Sequence, residues 1–231
     1  MRQDEMVPAY VIQARPWRET SLLYKVIAHH HGRISLIHRG ARNSRRDRPL
    51  PTLTPVRVSW GGRGSLYTLR HAEVSGTMAV RDPQRQVYAL YVNEIISYLL
   101  PDDRYSDEIY PLYHEALARL DDAPDPEFVL RGVEMDLLQL AGHPLQLDHT
   151  EQRKVEPGRH YRYHPGAGPV ELPEGETTDG ISGQTLLALQ GREEMDERTR
   201  REARRLMRQV LDYYIAPRVI RSRSIMQALA G

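Results

Sequence analysis

LLYKVIAHHHGRISLI, residues Leu22 to Ile37, decides how the first third of the chain is read. Two short runs rich in β-branched and large apolar residues, Leu22 to Ile27 and Arg33 to Ile37, flank His29-His30-His31-Gly32. A polar turn closed by glycine between two such runs is the signature of a β-hairpin. Working outward, Ala9 to Ala14 (AYVIQA), Val56 to Trp60 (VRVSW) and Ser65 to Leu69 (SLYTL) have the same character. Gly61 to Gly64 (GGRG) marks a second tight turn, since glycine supplies the positive φ such turns need. Five short strands with no helical period between them predict a small closed barrel or sandwich, and on pattern alone an SH3-like barrel is as compatible as an OB-fold.

The period then changes. From Gln84 to Leu100, Val87, Leu90, Tyr91, Ile95, Tyr98 and Leu99 recur at three- and four-residue spacing, one apolar helix face that Pro101 ends. A second helix is expected from an N-cap at Ser106, with Asp107 and Glu108 in its first turn and a stripe through Ile109, Leu112, Tyr113, Ala116, Leu117 and Leu120. A third has Asp125 as N-cap, Pro126 at its first position, and Gly142 and Pro144 after its end. Three consecutive amphipathic helices predict a bundle. Residues 147–180 are polar and rich in Gly and Pro, a loop-rich insertion with short β-like pieces such as HYRYH and PVEL. Ser182 is expected to cap a short helix to Leu189, and a long helix runs from Asp196 to Ile215 before Pro217. The fold class is therefore α+β, a five-stranded barrel over 1–80 followed by a helical domain over 81–231.

Composition narrows the function. The chain has 231 residues and no cysteine, which removes disulfides, thiolate nucleophiles and cysteine-bound zinc. No apolar run reaches the ~18 residues of a membrane span, and the polar, acid-containing N-terminus is not that of a signal peptide, so a soluble cytoplasmic protein is expected. No GxSxG, Walker or GxGxxG pattern occurs, and GGRGSLY lacks the lysine and helix start of a phosphate loop. His29, His30, His31, His160 and His164 lack the spacing of a metal site. The acid pairs at Asp102, Asp121 and Glu193 flank helix ends. No catalytic group, metal or cofactor is expected.

What stands out is arginine. Only Lys25 and Lys154 among 32 basic residues are lysines. HRGARNSRRDRPLP, His38 to Pro51, holds Arg39, Arg42, Arg45, Arg46 and Arg48 with almost nothing apolar, and Arg33, Arg63 and Arg70 are close in sequence. Arginine grips phosphate through a planar fork, so a cluster of arginines on a small barrel predicts a nucleic-acid surface, with Tyr24, Trp60 and Tyr67 available to stack bases. PRVIRSRS, Pro217 to Ser224, adds Arg221 and Arg223, which either hold phosphate or serve a helix C-terminus. Arg131 and Glu134 share a helix face, so they form a salt bridge or else Arg131 borders a groove for an acidic peptide. On residues alone, a metal-dependent DNA-processing enzyme and an RNA-binding OB module are the rival readings.

The stretches RPWRETSLLYKVIAHHHGRISLIHRGAR, GGRGSLYTLRHAEV, YALYVNEIISYLLP, LRGVEMDLLQLAGHPLQL and YYIAPRVIRSRSIMQAL, in this order, resemble the RecO family of bacterial DNA repair proteins and recombination mediators. The resemblance implies an OB-fold at the N-terminus and a helical domain after it. It implies binding of single- and double-stranded DNA, strand annealing, and location with the nucleoid in the cytoplasm. Its implied partners are RecR, the acidic C-terminal tail of single-stranded DNA-binding protein, and, indirectly, RecA. Arg131 stands where the family places a basic contact to that tail. Many relatives carry four zinc-binding cysteines in the insertion. This chain has none, and His149 and Thr150 stand about where the first is expected.

Overall fold

The computed structural model of the chain describes residues 5–43, 49–100 and 107–229. Strands β1 (Val7–Trp17), β2 (Ser21–Ala28), β3 (Gly32–His38), β4 (Pro55–Gly61) and β5 (Leu66–Val74) close into a barrel in the order β1-β2-β3-β5-β4. All pairs are antiparallel except β3 with β5, where Ser35 to Ile37 run parallel to Leu66 to Thr68. That parallel closure is the Greek-key connection of an OB-fold and is foreign to an all-antiparallel meander. The β2–β3 hairpin turns as expected, with positive φ at His30 (59°) and Gly32 (66°).

Alternation fills the barrel. Leu22, Tyr24, Val26 and Ala28 of β2 and Ile34 and Leu36 of β3 point inward onto Ala9, Val11, Val56, Val58 and Leu69. The outward residues Tyr10, Leu23 and Ile27 are buried as well. Helices α1 (Pro83–Leu99) and α2 (Ile109–Asp122) cover that outer face. They are held by polar contacts: Tyr10 Oη lies 2.7 Å from His114 Nδ1, Tyr113 Oη donates to Asn93 Oδ1 at 2.6 Å, and Arg33 Nη1 donates to the Ile96 carbonyl at 2.8 Å. Burial pushes the Tyr10 hydroxyl to about 12, with Tyr110 adding to the shift.

By compactness the chain divides into Met1–Pro126 with Ile220–Gly231, and Glu127–Val219. Helices α1 and α2 thus belong with the barrel, and helix α3 (Pro126–Leu140) falls in the second unit, so the three expected stripes are shared out differently from a single bundle. Helix α1 starts at Pro83, capped by Asp82, whose carboxylate accepts from Gln84 N and Arg85 N. The expected cap at Ser106 lies outside the described residues.

The second unit contains a three-stranded antiparallel sheet, β7 (Gly168–Glu171), β6 (His160–His164) and β8 (Ile181–Ser182), with helices α4 (Gly183–Gly191) and α5 (Glu197–Ile215). The insertion is thus more ordered than its composition implies. Tyr161 and Tyr163 of β6 are buried, and Arg162 and His164 face solvent. Around His149 and Thr150, Thr150 Oγ1 accepts from the amides of Gln152 and Arg153, and Val155 N donates to Asp148 O, closing a tight turn. Glu202 accepts from Ser182 N, Ser182 Oγ and Thr185 Oγ1, tying α5 to the start of α4. Those donors outweigh the opposing effect of burial and hold its carboxyl below the ordinary range. No helix among the described residues is long and apolar enough to cross a membrane.

Candidate nucleic-acid interface

The basic segment begins where β3 leaves the barrel. Its ends are anchored by more apolar burial than the sequence suggested: Ala41 is 4% and Leu50 9% exposed, both in the barrel core. Arg42 N donates to the Thr20 carbonyl, and Arg42 Nη1 to the carbonyls of Arg18 and Glu19, at 3.0–3.2 Å for the side chain. Arg39 and Arg42 are exposed beside the β1–β2 turn. Arg45, Arg46 and Arg48 lie outside the described residues.

Register carries other arginines toward this end. Arg15 pairs with Leu23, and Leu23 with Ile37. Ile37 pairs with Thr68, so Arg70 on β5 reaches the same end. The Arg70 guanidinium lies across Gly61, where an added Cβ would stand 2.5 Å from it, so glycine makes that crossing possible. Arg63 is exposed in the β4–β5 turn, flanked by Gly62 and Gly64 with positive φ. At ~3.3 Å per residue, β5 separates Arg70 from Ser65 at that turn by roughly 17 Å. Arg15, whose guanidinium sits 5.6 Å from the Trp17 ring, and Arg18 were not singled out from the sequence.

Beside the β4–β5 turn is an open recess of about 410 Å³ lined by His31, Arg33, Ile34, Trp60, Gly64, Ser65 and Tyr67. Trp60 and Tyr67 are half-buried, their ring centroids 6.4 Å apart and their planes 57° apart. His31 meets Trp60 edge-on at 5.0 Å. Burial, with His30 beside it, holds the His31 imidazole below its ordinary pKa despite the opposing pull of Glu5 and Asp107.

Two expectations need correction. Arg33 is 4% exposed and donates to the Ile96 carbonyl, so its guanidinium serves the docking of α1 on β3 and is not a mobile phosphate ligand. Tyr24 is 0% exposed and its hydroxyl accepts from Leu50 N, so it fills the barrel and cannot stack on a base.

The C-terminal arginines sit on the barrel-containing unit. Helix α6 (Ser222–Leu229) packs on α1, and its first amides are capped by Glu94, which accepts from Arg221 N, Ser222 N and Ser222 Oγ at 2.7–2.9 Å. The Arg221 side chain is exposed, and Arg223 lies 6.0 Å from the Tyr91 ring. In the second unit, Arg131 Nη1 is 3.0 Å from Glu134, with side-chain exposures of 11% and 0%. The first task of Arg131 is thus to neutralise a buried carboxylate.

Among the described residues no three His, Asp or Glu side chains gather as a metal site. His160 Nε2 lies 3.2 Å from Arg198 Nη2, and His149 Nδ1 lies 2.7 Å from Asp148. Asp121 is held by Arg81, and Asp102 and Asp103 lie outside the described residues.

Pairing separates the exposed arginines at one end of the barrel from those of the second unit. On α5, Arg198, Arg201 and Arg204 face Glu202, Glu197 and Glu127, and elsewhere in that unit Arg153, Arg162 and Arg192 face Glu171, Glu176 and Asp136. On the barrel, Arg39, Arg42 and Arg63 form no ion pair among the described residues. The sequence carried an unused sign of this: residues 1–80 hold thirteen Lys and Arg against five Asp and Glu, a formal +8, and the remainder nineteen against twenty-six, −7.

Comparison with known proteins agrees with that barrel and its helical partner. Family models described as Recombination protein O N terminal and Recombination protein O C terminal match residues 1–78 and 80–224. The chain belongs to the RecO family. It is 40% identical over 228 residues to the DNA repair protein RecO of Alkalilimnicola ehrlichii, covering 96% of this chain and 91% of that one. It is 37% identical over 225 residues to RecO of Methylococcus capsulatus (95% and 92%), and 36% over 231 residues to RecO of Dechloromonas aromatica (96% and 95%). RecO relatives are thus matched along nearly their whole length, across both compact units.

Proposed function

We propose that this chain is a DNA repair and recombination mediator that binds single- and double-stranded DNA through its barrel, anneals complementary strands and, with RecR, helps load RecA onto DNA coated by single-stranded DNA-binding protein. One observation carries the reading: among the described residues the exposed barrel arginines Arg39, Arg42 and Arg63 form no ion pair, whereas Arg153, Arg162, Arg198, Arg201 and Arg204 of the second unit each face a carboxylate. Annealing makes and breaks no covalent bond. It requires two polyanions to be brought together, and exposed guanidinium groups at Arg39, Arg42, Arg63 and Arg70 lower their repulsion by displacing counterions. Arg45, Arg46, Arg48, Arg221 and Arg223 extend the proposed surface.

The acidic tail of the single-strand binder is assigned to α3. There a tail carboxylate would share Arg131 with Glu134, since a guanidinium presents five N–H donors. Holding tail and DNA on one protein raises the effective concentration of each for the other.

The test is a titration of labelled single strand, duplex and RNA at several salt concentrations, with an annealing assay and a cleavage control in Mg²⁺. Binding nearly indifferent to sequence, with a log–log salt slope of roughly −0.7 per phosphate contact on single strands, is expected. Salt-independent binding, strict sequence preference, or cleavage of the strand overturns the reading.

A further inference from the structure

We infer that the recess between Trp60 and Tyr67 receives one unpaired nucleobase of a bound single strand, with the adjoining phosphate on Arg63. The inference rests on the DNA-binding reading of the barrel and adds to it a discrimination between stacked and unstacked bases. The recess has the volume of a small-molecule site, about 410 Å³, and none of its lining residues is acidic. Trp60 and Tyr67 diverge at 57°, a wedge that leaves aromatic surface uncovered. The edge-on His31 fixes the Trp60 ring from one side, and Ser65 places a hydroxyl at the rim. Arg63 stands in the same turn, exposed and without an ion pair among the described residues. Aromatic surface beside a cation, with no carboxylate in the lining, fits a base and its phosphate and disfavours an acidic or purely apolar occupant.

A base inside a duplex reaches such a recess only by leaving its stack. The recess therefore reports single-strandedness without reading sequence, because every base has a π-face. It also fits annealing: a base held here is withdrawn as soon as its complement pairs with it, which weakens the grip on the product.

The experiment uses the full chain with Trp17→Phe, which leaves Trp60 as the only tryptophan. Strand anisotropy reports binding, and Trp60 emission reports stacking. Oligothymidine should bind and quench. An abasic strand of equal length should bind roughly 5- to 150-fold more weakly, the equivalent of the ~1–3 kcal/mol of one stacked base, and should not quench. Blunt duplex should bind without quenching. Tyr67→Leu, with its fold checked by circular dichroism, should bring the two single-strand affinities together. Equal affinity and equal emission with oligothymidine and the abasic strand overturn the inference, as does quenching by duplex. Saturable quenching by thymidine monophosphate without quenching by the strand assigns the recess to a free nucleotide and also overturns it. Salt-dependent binding without quenching removes this inference alone, whereas no binding of any strand at low salt removes the barrel reading and this inference with it.

Discussion

Replacing Arg39, Arg42 and Arg63 together with alanine tests the barrel surface directly. Among the described residues the exposed Arg39 and Arg63 form no ion pair, and Arg42 loses exposed side-chain hydrogen bonds to the Arg18 and Glu19 carbonyls. The melting temperature should therefore move little, since exposed substitutions of this kind cost within about 0.5 kcal/mol. If each arginine neutralises one phosphate, the log–log salt slope on single strands falls in magnitude by roughly 2, at about 0.7 per contact. The same arithmetic weakens binding about 100-fold at ~0.1 M salt relative to ~1 M. The matched control is Arg198→Ala, Arg201→Ala and Arg204→Ala on α5. It removes the same formal charge from arginines that already face Glu202, Glu197 and Glu127. Its slope should stay at the wild-type value, because these guanidinium groups are already matched by carboxylates and displace few counterions from a strand. Fluorescence anisotropy over four or more salt concentrations measures both. An unchanged slope in the barrel variant, or an equal flattening in the α5 variant, refutes the reasoning, the second by showing that overall charge and not local pairing sets affinity.

Three further outcomes follow from buried polar groups. Arg33→Met removes the charged donor to the Ile96 carbonyl, which keeps its bond from the Leu100 amide, and should cost about 1.5–3 kcal/mol in a denaturant melt while leaving the salt slope unchanged; an unaffected midpoint would sink the structural role of Arg33. Arg131→Ala removes the ion-pair partner 3.0 Å from the fully buried Glu134 and should cost about 3–5 kcal/mol, most of it recovered in Arg131→Met with Glu134→Leu; if that folded double variant binds an acidic tail peptide as wild type does, Arg131 is no peptide contact. Burial alone would raise the Glu94 pKa, but donors from Arg221, Ser222 and Tyr98 outweigh it and lower the folded value. Its contribution to stability is thus complete above the unfolded carboxylate pKa of about 4.3 and is lost as pH falls through the lowered folded value. Hydrogen exchange should show α6 losing protection on acidification, and Glu94→Gln should remove that step; identical acid profiles in the two proteins would contradict the cap.

The barrel was legible because its information is local. Two-residue alternation in LLYKVIA and RISLI and the glycine turns name the strands without reference to anything distant. The same alternation sorts Tyr24 with Leu22 and Val26 onto the inner face, so its burial was readable and was passed over for its ring chemistry. Arg33 differs. Its outward position could be inferred from Ile34 and Leu36, but the helix waiting there arrives about sixty residues later, and no local pattern announces it. The sheet around HYRYH was opaque for that reason too: Tyr161 pairs with Glu171 and Ile181, strands too short to declare themselves alone. Asp82 was missed as a cap although Pro83 follows it, because the apolar period begins only later.

Arginine number and arginine function are separate questions here, and the placement of acids is what parts them. A chain of formal charge +1 has carboxylates for nearly all its cations. Distributed evenly, they would cover every arginine, and exposed pairs of that kind contribute only ~0.2–1 kcal/mol each to stability. They are not distributed evenly. Acids accumulate after residue 80, where they meet the arginines of α5 and of the small sheet, and the barrel is left with a formal +8. Such an excess costs the barrel self-repulsion. Arg39, Arg42 and Arg63 repay little of that through internal contacts, since the Arg42 side chain bonds backbone carbonyls and Arg39 and Arg63 form no ion pair among the described residues. A bound polyanion relieves the repulsion, so the same imbalance that weakens the free barrel strengthens its complex. Phosphate or a short single strand should accordingly raise the melting temperature of the wild-type chain, and do so far less in the Arg39, Arg42, Arg63 variant. Equal shifts in the two proteins would place the polyanion somewhere other than this surface.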